Sequence, residues 1–165
     1  MGNIEFKDNL IIREAKEKDI GVILSLIKEI AEYENMSDEV IATEETLRES
    51  IFKNNRANAL ILEVDNKEIG YCIYFYNFST FIGRSGLYIE DIFIRKEYRG
   101  NGFGSQIFKF LAKKAKDEGL KRMEWSCLDW NEPSIKFYKS LGAIPMDEWT
   151  VYRLTEDKIN ELAEK

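Results

Sequence analysis

The sequence predicts an α+β fold with a central mixed sheet, and three observations carry that prediction. Apolar residues alternate at a strand's spacing in some stretches and recur at a helix's spacing in others. The stretches follow the order βααβββαβαβα, and the three consecutive strands are close enough in sequence to form an antiparallel meander. At 165 residues the chain suits one hydrophobic core, because chains divide into domains mostly above this length, so residues 1–165 read as a single domain.

Each element has its own signal. Residues 9–14 open with a short apolar strand. Asp19 begins a segment with apolar side chains at Ile20, Ile23, Leu24, Ile27, Ile30 and Ala31, a helical stripe with charges on the other face. After Tyr33 and Glu34 the pattern breaks, and Thr43 caps a second short helix over residues 43–52. Residues 59–64 and 69–76 are β-branched and aromatic runs joined by Asp65, Asn66, Lys67 and Glu68, the pattern of a hairpin. A looser stretch with Gly83 and Gly86 leads to a third strand, LYIEDIFI, at residues 87–94. A basic, glycine-rich turn comes next. The helix after it runs from Ser105 to Glu118, with Ile107, Phe108, Phe110, Leu111 and Ala115 on one face and Gly119 as its stop. The remainder predicts a strand at 122–128, a helix from Pro133 to Gly142, a short strand at 149–154 and a C-terminal helix.

Composition narrows the chemistry. The chain is 44% hydrophobic and 13% aromatic, too apolar for a disordered polymer. Its 24 Lys and Arg against 30 Asp and Glu give a net charge of −6, and it contains no histidine. Without imidazole there is no Ser-His-Asp or Cys-His pair, no histidine-ligated zinc and no imidazole base near neutral pH. Acid–base work falls to carboxylates, tyrosines, lysines, cysteines or bound water. The negative balance disfavours a nucleic-acid partner, which asks for a basic stripe, and suits a cationic small substrate. Cys72 and Cys127 each lie in an apolar stretch and read as buried thiols. No run is long enough to span a membrane, the first nine residues lack a leader's apolar core, and Phe6 breaks the myristoylation pattern. A cytoplasmic protein without a membrane partner is the expectation.

The segment richest in chemistry is the strand, glycine turn and helix over residues 87–118. A strand that runs through Arg99, Gly100, Asn101, Gly102, Phe103 and Gly104 directly into a helix gathers backbone N–H groups over a helix N-terminus, which is an anion site. The spacing is neither the Walker pattern nor the dinucleotide fingerprint, because Ser105 follows Gly104, so a different phosphate ligand is implied.

Arg99 to Gly104 matches the R/Q-x-x-G-x-G/A loop of the GNAT superfamily of acyltransferases. The blocks IREAKEKDIGVILSLIKEIAEYENM, LYIEDIFIRKEYRGNGFGS and WNEPSIKFYKSLGA resemble, in order and spacing, those of the spermidine/spermine (diamine) N-acetyltransferase family, from about residue 11 to 155. The resemblance implies a GNAT acyl-CoA N-acyltransferase fold, an αβα-layered structure whose mostly antiparallel sheet is flanked by helices. It also implies acetyl-CoA as co-substrate, no metal, and a homodimer with the C-terminal strand as a plausible contact.

Site residues follow from the same resemblance. Backbone groups of Ile92, Phe93 and Ile94 would pair with the pantetheine arm, like an added strand. Amides of Gly100, Asn101, Gly102, Phe103, Gly104 and Ser105, with Arg99 beside them, would hold the pyrophosphate. Asn131 and Ser134 match cofactor contacts, and Asn131 suits a helix cap equally well. Glu90 matches the family's base, acting through water, and Tyr138 the general acid near the cofactor sulfur, though ordinary core packing would also account for Tyr138. Tyr33, Glu34, Asp91 and Glu124, together with Glu90, match positions facing the substrate. Because adjacent strand residues face opposite sides, Glu90 and Asp91 need not share a pocket.

An alkylammonium has a pKa of about 10, so it must lose a proton before attack, and in a chain without histidine a carboxylate is the natural acceptor. The resemblance thus implies acetyl transfer to a primary amine of a di- or polyamine by direct attack in a ternary complex. Two departures stand out: Ser79 and Phe81 replace the family's acidic residue and tryptophan. They keep open a smaller acceptor such as thialysine or lysine. A non-catalytic CoA- or polyamine-binding module is the alternative from outside the enzymes.

Overall fold

Among the described residues six strands lie side by side in chain order: β1 (Ile4–Glu5), β2 (Leu10–Glu14), β3 (Asn58–Val64), β4 (Lys67–Ser79), β5 (Arg84–Ile94) and β6 (Met123–Trp125). Every neighbouring pair is antiparallel except β5 and β6, which run parallel. The mixed sheet and its central meander are as the sequence predicts. The computed structural model describes residues 4–5 and 9–165; the expectations about a leader and about Phe6 fall partly on residues outside that set. The chain divides into two compact units, Met1–Ser126 and Cys127–Lys165.

In the first unit, α1 (Ile20–Tyr33) buries Ile23 and Leu26 against one face of the sheet, in a core with Ile61, Tyr71, Ile73 and Phe93. Thr43 caps α2 (Glu44–Leu47) by accepting from the Thr46 amide at 3.2 Å. The helix then continues as a π-helical turn over Arg48–Lys53, whose Ile51 joins the same core. On the other face lies α3 (Phe103–Asp117), with Ile107, Phe108, Leu111 and Ala115 buried and the Lys114 ammonium 5.8 Å from the centre of the Tyr74 ring. These are the layers expected of the fold class.

Three boundaries move for local reasons. The β3–β4 hairpin closes through Asp65 and Asn66 alone, both at positive φ (51° and 61°), the tight turn that matches the twist of its flanking strands. The next hairpin is longer than expected, since β4 runs to Ser79 and β5 starts at Arg84, closed by Gly83 at φ 69°. The third helix begins at Phe103, two residues before the expected Ser105, because Gly102 takes the left-handed conformation at its N-cap.

Two expectations are corrected. The strand predicted at 122–128 narrows to Met123–Trp125, the residues that pair with Leu87, Tyr88 and Ile89 of β5. The strand predicted at 149–154 is absent from the described chain: these residues have no ladder partner, and Trp149, Val151 and Tyr152 are 75%, 83% and 91% exposed. A strand without a partner leaves its backbone polar groups to water. The second unit holds two helices, α4 (Glu132–Ser140) and α5 (Glu156–Ala163), as predicted.

A register shift in β5 positions the site. Ile73 faces Asp91 while the next residue, Tyr74, faces Ile89, so Glu90 is the extra residue of a β-bulge. Residues directly opposite share a face. Asp91 and Phe93 therefore stand on the α1 side with Ile73 and Tyr71, whereas Ile89 stands on the α3 side with Tyr74. The bulge turns the strand's side chains over.

Candidate functional site

The glycine turn is built as the sequence suggests. A 3-10 turn at Lys96–Tyr98 leads to Gly100 and Gly102, whose φ of 82° and 77° would strain any other residue type. Nothing lies within 4 Å of where a Cβ would stand on either glycine, so the turn is open on that side. Gly102 offers α3 no side-chain cap, which leaves the amides of Phe103, Gly104 and Ser105 at the helix start for an outside acceptor. The residues present fit a pyrophosphate. Asn101 turns inward and donates to the Tyr98 carbonyl at 3.0 Å, a turn-fixing role beside its expected backbone one.

Beyond Ile89, β6 no longer accompanies β5; Asp91 to Ile94 pair with β4 alone among the described residues. The sheet thus opens along Ile92, Phe93 and Ile94, the splay that an extended ligand arm needs to add itself as a strand. The Ile94 carbonyl, however, already accepts from Arg99 Nε at 2.7 Å. That guanidinium lies 4.7 Å from the centre of the Tyr33 ring and 5.5 Å from that of Phe93. Arg99 therefore joins the glycine turn to the end of α1.

Tyr33, Glu34, Asp91 and Arg99, all expected near a ligand, gather in this part of the first unit. Asp91 accepts a hydrogen bond from the Tyr71 hydroxyl at 2.9 Å. Burial pushes the Asp91 carboxyl above its ordinary range, and the hydrogen bond from Tyr71 only partly offsets this. Glu34 is also raised, first by burial and then by the charge of Asp91, which places the two carboxylates in one electrostatic neighbourhood. Burial together with Asp91 drives the Tyr71 phenol far above the usual range. Glu90 is exposed at the bulge, where strict alternation fails, so the opposite-face argument does not separate it from Asp91.

Sequence reasoning passed over Tyr71. It sits inside the apolar run IGYCIYFY, and nothing in that run distinguishes its ring from the others. Its signal is the hydroxyl, since a residue 0% exposed needs a partner for that group.

The other residues singled out in the sequence have the following surroundings. Glu124, the middle residue of β6, forms an ion pair with Arg122 at 2.7 Å and accepts from Asn77 Nδ2 at 2.9 Å. Ser79 is buried and serves the β4–β5 turn, its Oγ accepting from the Ile82 amide at 3.4 Å, while Phe81 at the tip is fully exposed. Cys72 is buried and its thiol pushed up by burial; Cys127 is only half-buried, against expectation. In the second unit, Asn131 caps α4 by accepting from the Ser134 amide at 3.4 Å, and Tyr138 stands in the second turn of the helix, its ring 5.6 Å from that of Phe137. The cap role foreseen for Asn131 is realised.

Among the described residues, no group of three or more Cys, Asp or Glu side chains is placed to hold a metal ion, and no helix is long and apolar enough to cross a membrane.

Residues 23–143 match the model of the Acetyltransferase (GNAT) family. The chain is 40% identical to a thialysine N-epsilon-acetyltransferase of Sus scrofa over 95% of its own length and 99% of that protein. It is 29% identical to the spermidine/spermine N(1)-acetyltransferase-like protein 1 of Homo sapiens over 94% of this chain and 24% of that one. Among solved structures, the integron cassette protein from the mobile metagenome of V.cholerae superposes with a TM-score of 0.79 at 25% identity, covering 94% of this chain and 98% of that one.

Proposed function

The chain belongs to the GNAT family of acetyltransferases, and on that premise we propose that it moves an acetyl group from acetyl-CoA to the side-chain amine of a small basic amino acid of the thialysine or lysine type. The observation that carries the acceptor's charge is the Glu34–Asp91 carboxylate neighbourhood where the sheet opens beside Arg99. The choice of an amino acid rests on the 40% identity to a thialysine acetyltransferase over nearly its whole length. Ser79 supports it, being committed to a turn where polyamine enzymes carry an acid.

Acetyl-CoA supplies the acetyl group as a thioester. In this proposal the open edge at Ile92, Phe93 and Ile94 receives the pantetheine arm, the amides of Gly100 to Ser105 hold the pyrophosphate, and Asn131 and Ser134 add contacts from α4. Glu34 and Asp91 take the acceptor's ammonium. Glu90 receives its proton through water, since only the neutral amine has a lone pair to attack with. A backbone N–H near Phe93 supports the charge that develops on the carbonyl oxygen. Tyr138 donates a proton to the sulfur as its bond to carbon breaks, a transfer that is slightly uphill because the thiolate is the weaker base, and the proton that the nitrogen sheds as the amide forms restores the phenol.

We treat residues 1–165 as one catalytic domain, which the family match supports by crossing the boundary between the two units. A homodimer is part of the proposal: Ile144, Trp149, Val151 and Tyr152 are all at least 75% exposed, and large apolar side chains left open to solvent within nine residues suit a protein interface.

A second reading, acetylation of a di- or polyamine, draws on the same carboxylates and on the sequence blocks shared with that family. Initial rates of thiol release from acetyl-CoA with thialysine, lysine, putrescine, spermidine and spermine test both. The proposal expects the amino acids to lead in kcat/KM. Turnover of the polyamines alone would favour the second reading, and tight CoA binding without thiol release would favour a non-catalytic module.

A further inference from the structure

We propose that Tyr71 is a positioning residue: by donating its buried hydroxyl to one oxygen of Asp91, it fixes that carboxylate so that the other oxygen, with Glu34, receives the acceptor's ammonium. This deepens the acetyl-transfer reading and rests on it.

The hydroxyl is not there for packing. Tyr71 is 0% exposed, and its ring fills the core between α1 and the sheet with Ile23, Leu26, Ile61 and Ile73. A phenylalanine would occupy nearly the same volume. Burying a hydroxyl without a partner costs several kcal/mol in an apolar medium, so its presence in this core points to the group it meets. That group is Asp91 Oδ2, 2.9 Å away.

Asp91 reaches this position because of the bulge at Glu90. Were the β4–β5 ladder regular, Asp91 would share a face with Ile89 and stand on the α3 side, away from Tyr71. The bulge brings its carboxylate onto the α1 side, directly opposite Ile73, which lies two residues along β4 from Tyr71. Among the described residues Tyr71 is its one hydrogen-bond partner, and it engages Oδ2 alone.

The groups around this carboxylate are few. Tyr71 comes from β4, and Glu34 from the end of α1; Cys72, next to Tyr71 on β4, senses its charge. Among the described residues no lysine or arginine enters as a partner of Asp91 or Glu34, so two partly buried carboxylates stand without a cation from that set. Such a site is complete when a cation arrives from outside. A carboxylate that must meet a mobile ammonium is useful only in a fixed orientation, and one hydrogen bond from a rigid ring in the core provides it while leaving the second oxygen available. The phenol remains a donor because burial and Asp91 keep it protonated.

The test is a cycle of Tyr71→Phe, Asp91→Asn and the double variant, with KM for the amino-acid acceptor and for acetyl-CoA measured separately, together with a ¹³C-carboxyl NMR titration of Asp91. Tyr71→Phe is expected to raise the acceptor KM about tenfold or more, the scale of a lost hydrogen bond to a charged group. It should leave the acetyl-CoA KM within about twofold, and it should add little in the Asp91→Asn background. The Asp91 titration should move upward in Tyr71→Phe, because a donor to the charged form is gone. An equal effect of Tyr71→Phe in both backgrounds, or an unmoved Asp91 titration, overturns the proposal. If the unmodified protein releases no thiol with any amine, the acetyl-transfer reading fails by itself, and the titration still decides whether Tyr71 acts on Asp91.

Discussion

The Arg99 guanidinium stacks over the Tyr33 ring at 4.7 Å while its Nε donates to the Ile94 carbonyl at 2.7 Å. One side chain thereby ties the glycine turn, the end of α1 and the last residue of β5 together. The turn suits a phosphate and the helix end bears Glu34, so the two halves of the proposed reaction share a residue.

Arg99→Lys keeps the charge but removes the planar group that stacks on Tyr33 and Phe93. Each such contact is worth about 0.5–1 kcal/mol, so KM for acetyl-CoA and KM for the acceptor should each rise roughly two- to fivefold. Steady-state kinetics with each substrate varied in turn checks this. A rise confined to acetyl-CoA would leave the Tyr33 contact without a part in acceptor binding.

Glu90→Gln removes the proposed proton acceptor without changing side-chain size. Turnover should fall most near neutral pH, by roughly 10²-fold as befits a general base, and recover in part toward pH 10, where the free amine becomes plentiful. The pH–rate profile is the readout, and an unchanged profile removes Glu90 from the mechanism.

Glu124→Gln should leave acceptor KM within about twofold, since the Glu124 carboxylate is held by Arg122 and Asn77. The half-exposed ion pair adds at most about 1 kcal/mol to stability. A tenfold rise in acceptor KM would instead support the substrate-side place that the resemblance implies for Glu124.

Stability has its own anchor away from the site. Arg13 donates to both oxygens of Asp19, at 2.7 and 3.0 Å, and Asp19 also accepts from the Lys16 amide at 2.7 Å. The hydrogen bonds from Arg13 hold the Asp19 carboxyl below its ordinary range, outweighing burial. A depressed folded-state pKa contributes stability that is complete above the unfolded value near 4 and is lost as pH falls through the folded one. Asp19→Asn should cost about 2 kcal/mol at pH 7, the scale of hydrogen bonds to a charged group, because Arg13 keeps its ion pair with Glu63, and it should flatten the acid limb of stability against pH in urea titrations. Asp91 has the opposite sign: its raised carboxyl weakens the fold at neutral pH, and that penalty disappears as pH drops.

Local patterns made most of the fold legible. The stripe from Ile20 to Ala31, the hairpin flanking Asp65 and Asn66, and the caps at Thr43 and Asn131 are decided by residues within one or two turns of each other. The glycine turn was legible for the same reason, because Gly100 and Gly102 are needed locally for their backbone shape. The bulge at Glu90 was not, since it exists only in the register between β5 and β4. The Tyr71–Asp91 bond joins residues 20 apart on neighbouring strands, and Arg99 meets a helix end 66 positions earlier (99 minus 33), distances over which no sequence period speaks. Residues 149–154 read as a strand because their alternation is a strand's, yet alternation supplies no partner for the backbone.

The acceptor's identity is decided most directly by competition. With thialysine and spermidine at equal concentration and acetyl-CoA limiting, the ratio of acetylated products measured by mass spectrometry equals the ratio of the two kcat/KM values. Acetylthialysine should dominate, and the summed rate of both products should fall about tenfold or more in Asp91→Asn, the scale of a lost contact to a charged group. Dominance of acetylspermidine, or release of thiol into neither product, would contradict this expectation.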